Sequence, residues 1–160
     1  MNNKIIIAID AMGGENAPSK NIEGVSIYLK KNNKKKDVFF NLYGDENLIK
    51  KEISKYNISS DFYKIFQSST VVSDEQTPLT AIKNSKDSSM WNSINSQIVS
   101  DSNITLSAGN TGVLFVVSRM LLKTIESVSK PALAGLWPNE KNMNVVLDLG
   151  ANVECDEKNL

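Results

Sequence analysis

The chain contains no histidine, a single cysteine, Cys155, and a single arginine, Arg119. Without histidine it supplies no imidazole base, no serine–histidine triad and no histidine-ligated zinc. A lone thiol excludes an internal disulfide framework and a cysteine zinc site, and a reducing cytoplasm is the setting this implies. No activating base is apparent for Cys155, so it reads as a small buried hydrophobe rather than a nucleophile. Charge of one sign is also lacking in excess. The 18 basic and 18 acidic residues cancel, which removes any global pull toward nucleic acid or anionic lipid. The longest apolar run, Gly112 to Leu122, carries Ser118 and Arg119 and falls short of the roughly 20 residues that span a bilayer. The N-terminal run is too short for a signal-peptide core and ends in Asp10. The expected location is cytoplasmic, with association at the membrane surface still allowed. Any acid–base step falls to carboxylates, lysines, tyrosines or the reactants themselves.

What is present is a soluble composition, 41% hydrophobic and 22% charged over 160 residues, and a single domain over 1–160 is expected. Three times a short apolar stretch breaks into a small, polar, glycine-bearing turn. Ile5–Ile9 runs into Asp10-Ala11-Met12-Gly13-Gly14, Ile104–Leu106 into Ser107-Ala108-Gly109-Asn110-Thr111-Gly112, and Val145–Leu147 into Asp148-Leu149-Gly150-Ala151-Asn152. Each apolar stretch reads as a buried parallel strand, covered on both faces. Each turn reads as a loop at a strand's carboxyl end, where open α/β sheets bind ligands. One pocket built from three strand ends is the expectation.

Between these turns the pattern alternates strand and helix. A helix is predicted from Ser19, as a possible cap, to about Lys31, and the lysines at 30–36 end it. Val38–Tyr43 reads as a strand, and Leu48, Ile49 and Ile53 as a helical stripe. Phe62–Phe66 reads as a strand with Val71-Val72 a short one nearby. Pro78 suits the first turn of a helix, and Ser89–Val99 and Gly112–Lys123 read as two more. Ala132–Leu136 is ambiguous, and Val145–Leu149 is the last strand. The class is α/β, three-layered, with a mainly parallel, Rossmann-like sheet. Gly112–Lys123 is apolar on nearly every face, which fits a central helix or one at a subunit interface. Only eleven residues follow the last strand, so the chain is expected to be truncated.

Ser107–Gly112 has the grammar of an anion cradle. Gly109 and Gly112 permit tight backbone geometry, Asn110 or Thr111 caps the next helix, and a helix N-terminus favours an anion. An ordinary strand–turn–helix junction explains the same residues. It is neither a Walker loop nor a dinucleotide fingerprint. Asp10 and Asp148 each end a strand. They cap loop backbone, or one of them orients a protonated phosphate or a lysine. Their oxygens are not clustered as a magnesium site requires, and no metal is expected. Lys86-Asp87-Ser88-Ser89 precedes a helix, with Ser88 or Ser89 as cap and Lys86 a point charge beside it.

Taken in order, Asp10–Pro18, Lys86–Met90, Ser107–Gly112, Pro131–Ala134 and Asp148–Asn152 resemble the phosphate acyltransferases of the PlsX type, which act in bacterial phospholipid synthesis. The resemblance covers the whole chain but only the N-terminal half of the family's length. Glu15 stands where Asp is usual, and Lys130 where Arg is usual, which loses a bidentate fork. The resemblance implies a homodimeric α/β fold similar to phosphotransacetylases, with no organic cofactor. It implies that acyl-[acyl-carrier protein] and inorganic phosphate give acyl phosphate, which passes to a membrane glycerol-3-phosphate acyltransferase. On this reading Asn110 and Asp148 are the catalytic candidates. Phosphate would be held by Asp10, Gly13, Gly14, Asn16, Lys86, Ser88, Ser89, Ser107, Gly109, Thr111, Gly112 and Asn152. The alternatives are a non-catalytic anion-binding half and acyl transfer with coenzyme A.

Overall fold

The computed structural model describes residues 4–32, 37–73, 80, 85–99 and 101–150. Four strands, β1 (Ile5–Asp10), β2 (Val38–Gly44), β3 (Tyr63–Gln67) and β4 (Ile104–Leu106), form one sheet in the order β3-β2-β1-β4. Every pairing in it is parallel, with Ile7 opposite Phe40 on one side and Ile104 on the other. The helices α1 (Ser19–Lys31), α2 (Glu46–Tyr56), α3 (Ser89–Ile98) and α4 (Thr111–Leu122) accompany them.

Periodicity explains the layers. Alternate residues of a strand face opposite sides, so Val38, Phe40 and Leu42 of β2 point one way. There they join Ile22, Val25 and Leu29 of α1 and Ile49 and Ile53 of α2 in one buried cluster. The spacing of three and four along each helix puts these residues on one stripe. Truncating such a buried aliphatic to alanine typically costs about 2–5 kcal/mol. Asn41 faces the other way, and its Nδ2 donates to the Asp101 carbonyl at 3.0 Å. On that side Met90 and Ile94 of α3 pack with Val113 and Val117 of α4. The result is helix, sheet, helix, as the alternation predicts.

Local signals set the helix ends. Asp45 caps α2 by accepting the Leu48 N–H at 2.9 Å, and Asn57 ends it in the left-handed conformation. Lys30 and Lys31 close α1, where cations suit the dipole. Pro18, not Ser19, occupies the cap position of α1, and Ser19 is its first helical residue. Val71-Val72 is not a strand; Thr70 forms only an isolated bridge with Ser88. The helix expected at Pro78 begins outside the described residues.

The third apolar stretch departs from expectation. Met143–Leu147 (β6) pairs antiparallel with Ala134–Pro138 (β5) in a separate two-stranded sheet. The ambiguous segment is thus a strand, and the last strand is neither parallel nor buried: Val145 is 66% exposed. The reason is a local turn. Asn139 Oδ1 accepts from the N–H groups of Lys141 and Asn142, and Asn139 N–H donates to the Asn142 carbonyl. A hairpin closed over so few residues forms before any distant partner is needed. Helix α4 is likewise not central. Val113 and Val117 are buried, but Met120 and Leu122 are largely exposed.

Candidate functional site

The strand order creates the site. After β3 the chain crosses back to β4 on the far side of β1. The carboxyl ends of β1 and β4 therefore stand side by side at the point where the winding reverses, the place where α/β sheets hold ligands. Their loops, Asp10–Gly14 and Ser107–Asn110, are the first two glycine-bearing turns.

The two loops interlock. Asp10 is 1% exposed. Its Oδ2 accepts the Ser107 hydroxyl at 2.7 Å, and Ser107 Oγ in turn accepts the Gly109 N–H at 3.2 Å. The other carboxyl oxygen, Oδ1, is buried without a hydrogen-bond partner among the described residues. A buried unpaired acceptor is uncommon and costs free energy. Gly13 lies in the contact itself: a Cβ there would stand 2.4 Å from Asp10 Oδ2 and 3.0 Å from the Gly109 nitrogen. Gly14 adopts φ +89°, and a Cβ on it would meet the Ala108 carbonyl oxygen at 2.7 Å. Both glycines are thus required by close backbone approach.

Two helix N-termini adjoin this knot. Asn110 Oδ1 caps α4 by accepting the Val113 N–H at 3.1 Å. That leaves the amides of Thr111 and Gly112 at the open end of the helix, where intrahelical acceptors are lacking. Ser88 caps α3 by accepting the Trp91 N–H at 3.1 Å. Ser89 follows it, and its hydroxyl is buried without a partner among the described residues. Helix α3 is seated on the β4 loop: a Cβ at Gly109 would stand 2.9 Å from Met90 Cε. Lys86 is exposed just upstream. Asn16 is exposed, at φ 58°, and its carbonyl accepts the Lys20 N–H at 3.2 Å.

The third turn arrives by a different route. Leu149 and Gly150 line a cavity of about 270 Å³ with Thr111, Gly112 and Phe115. Asp148, at φ 53° and directly after β6, sits at the entrance to that turn. So the first two turns meet as neighbouring strand ends, and the third reaches the α4 N-terminus from the hairpin. Asn152 lies outside the described residues. Among those described, no three acidic or thiol side chains converge as metal ligands would.

One residue escaped sequence reasoning. Asn21 Nδ2 on α1 donates to the carbonyls of Ala11 at 2.9 Å and Gly13 at 3.0 Å, with Asp10 at 3.4 Å. It holds the first loop from beneath. Nothing local signals this, because a polar residue on a helix flank reads as solvated.

Fold and site together define an α/β protein whose two glycine-bearing loops meet at the switch point of a parallel sheet. The model of the fatty acid synthesis protein family matches residues 5–160, and the chain belongs to that family. A phosphate acyltransferase of Pelagibacter ubique is 46% identical over 160 residues, covering all of this chain and 46% of the relative. Phosphate acyltransferases of Magnetococcus marinus and Rhodospirillum rubrum are 37% and 36% identical, covering 43% and 45% of their own lengths. The chain spans about half the length of the curated relatives it matches. No described helix is long and apolar enough to cross a membrane.

Proposed function

We propose that this chain carries the phosphate-side wall of an acyltransferase that makes acyl phosphate from acyl-[acyl-carrier protein] and inorganic phosphate, for phospholipid synthesis. The observation that carries the reading is the Asp10–Ser107–Gly109 chain at the switch point, with an unpaired Asp10 oxygen beside two helix N-termini. Its chemistry suits a chain without histidine. A phosphate oxygen attacks the thioester carbonyl carbon, and the new C–O bond forms as the carbonyl becomes an oxyanion. The oxyanion collapses, the C–S bond breaks, and the carrier leaves as a thiolate. A thiol pKa near 8.5 lets it depart with little acid assistance, and solvent protonates it afterwards.

In this scheme the Thr111 and Gly112 amides and Asn110 stabilise the oxyanion, each donor being worth about 3–4 kcal/mol. Ser107, Ser89 and Lys86 position phosphate, and a protonated phosphate oxygen donates to Asp10 Oδ1. Gly13, Gly14 and Asn16 shape the loop, Ser88 holds the α3 terminus in place, and Asp148 forms the opposite wall. The working enzyme is a cytoplasmic homodimer that meets the membrane surface, where its product passes to a glycerol-3-phosphate acyltransferase.

The test is phosphate-dependent cleavage of long-chain acyl-[acyl-carrier protein], read as carrier thiol and as acyl hydroxamate trapped with hydroxylamine. A fusion of this chain to the remaining half of the Pelagibacter ubique relative turns over only with phosphate. The isolated chain, with half the length of those relatives, binds phosphate without turnover. Equal cleavage with and without phosphate overturns the reaction, and preference for the coenzyme A thioester overturns the substrate. In the fusion, Asn110→Ala lowers kcat about 100-fold; full retained activity removes it from the mechanism.

A further inference from the structure

Helix α4 carries two apolar stripes. Val113 and Val117 are buried against α3. Gly112, Phe115 and Val116 stand three and four positions apart on another flank and lie outside that cluster. A helix apolar on most of its faces needs cover on each of them. Facing the second stripe is the cavity of about 270 Å³, lined also by Leu133, Leu149 and Gly150.

The far wall of this cavity is fixed by the backbone. The Leu149 N–H donates to the Leu133 carbonyl at 3.2 Å. Leu149 lies over Gly135, where a Cβ would stand 2.6 Å from Leu149 Cδ1, so a larger residue there would push the leucine from its place. Leu149 itself is exposed at the rim. Among the described lining residues, the Thr111 hydroxyl is the only polar side-chain group. An arm carrying amides would leave them without side-chain partners there, whereas a hydrocarbon chain gains by burial. A larger cavity of about 460 Å³ opens between α1 and β4, but the loop residues lining it, Ser107 and Ala108, stand on the phosphate side.

We propose that the α4 cavity receives the carbonyl-proximal part of the acyl chain, and that Val116 and Leu149 set how much of the chain is held. This rests on the reading of Thr111 and Gly112 as the oxyanion site. Both residues line the cavity, and the carbon chain of a thioester leaves the carbonyl carbon one bond from the oxygen they hold. At about 30 Å³ for a water-sized group, the cavity takes roughly nine such groups, a segment rather than the whole of a long chain.

The experiment titrates the 160-residue chain by calorimetry with methyl-, butyl-, octyl- and dodecylphosphonate, all below micelle-forming concentrations. Methylphosphonate reads the anion site alone, and the longer chains read the cavity. Each methylene tightens binding about fourfold until the cavity is full, so octyl binds at least about a hundredfold tighter than methyl and dodecyl gains little more. Val116→Trp, which fills the cavity, removes most of the octyl gain and leaves methylphosphonate binding unchanged. Leu149→Asn, at an exposed position where folding is spared, also weakens octyl binding, and Leu136→Asn, exposed on β5 outside the cavity, does not. Equal affinity for methyl and octyl overturns the cavity and leaves the phosphate reading standing. Octyl binding that phosphate fails to displace, with no binding of methylphosphonate, overturns the phosphate reading and this inference with it, as does the absence of binding by every phosphonate. An octyl gain that survives both Val116→Trp and Leu149→Asn, or that is lost instead in Gly24→Gln on the wall of the larger cavity, overturns the inference alone.

Discussion

Replacing Ser107 with alanine removes the one hydroxyl that joins the β1 and β4 loops. In the parent, Asp10 Oδ2 accepts this hydroxyl at 2.7 Å while Oδ1 has no partner among the described residues. In Ser107→Ala the second oxygen, Oδ2, of a side chain that is 1% exposed also loses its donor. Leaving a buried polar group unsatisfied costs about 1–3 kcal/mol. The Gly109 amide also loses its acceptor, but it is only half-buried and water can replace that bond. For a chain of this size each kcal/mol shifts the midpoint by roughly 2–4 °C, so a fall of about 2–12 °C is expected. Thermal unfolding followed by Trp91 and Trp137 fluorescence measures it. A double-mutant cycle with Asp10→Ala isolates the pair, and a coupling of about 1–2 kcal/mol is expected for groups in direct contact. Phosphate adds a second readout. A ligand bound only by the folded state at ten times its Kd stabilises by about 1.4 kcal/mol, and Ser107→Ala abolishes most of that gain. A variant within 0.5 kcal/mol of the parent, with an additive cycle and an undiminished phosphate effect, would refute the interlocked-loop account.

Three further outcomes follow from the same geometry. Gly14→Ala combines a strained φ of +89° with a Cβ 2.7 Å from the Ala108 carbonyl oxygen; a loss of about 1–3 kcal/mol in thermal unfolding checks it. Asn21→Leu keeps the volume but drops the donor to the Ala11 and Gly13 carbonyls. Calorimetric titration with inorganic phosphate should show weaker binding, together with a stability loss of about 1–3 kcal/mol. The Glu52 carboxyl is held below its ordinary value of 4.5, chiefly by hydrogen bonds from Lys55 at 2.7 and 2.9 Å. A depressed folded-state pKa contributes stability above the ordinary value and loses it as pH falls through the lowered one. Glu52→Gln should therefore lower stability by a constant amount above about pH 4.5 and flatten the acid limb below it, as a pH series of urea midpoints would show.

Much of the molecule is legible locally. Ile5–Ile9 is apolar throughout, as a central parallel strand must be. Ile22, Val25 and Leu29 mark the buried stripe of α1, and Asn110 caps α4 through its own Oδ1. These properties depend on residues within a turn or two of each other, so periodicity and capping chemistry suffice to read them. The Ser107–Gly112 turn was visible for the same reason. Its bond to Asp10, 97 residues away, was not, and neither was the reach of Asn21 beneath the first loop. Those depend on which strand lies beside which, and a pattern within one segment carries no information about its neighbour.

The third apolar stretch shows where this limit falls. Val145–Leu147 has the composition of a buried parallel strand, but burial requires a partner. In the structure the Asn139 turn pairs it with Ala134–Pro138 and leaves Val145 exposed. The amino-acid order alone determined the alternation of strands and helices, the caps and the chemistry left open by the missing imidazole. Only the tertiary structure decided that β1 and β4 are adjacent, that Asp10 is buried with one oxygen unpaired among the described residues, and that Ile104 and Leu106 stay half-exposed. The physical reason is range: propensity and capping act over a few residues, whereas pairing, burial and desolvation are set by contacts between distant ones.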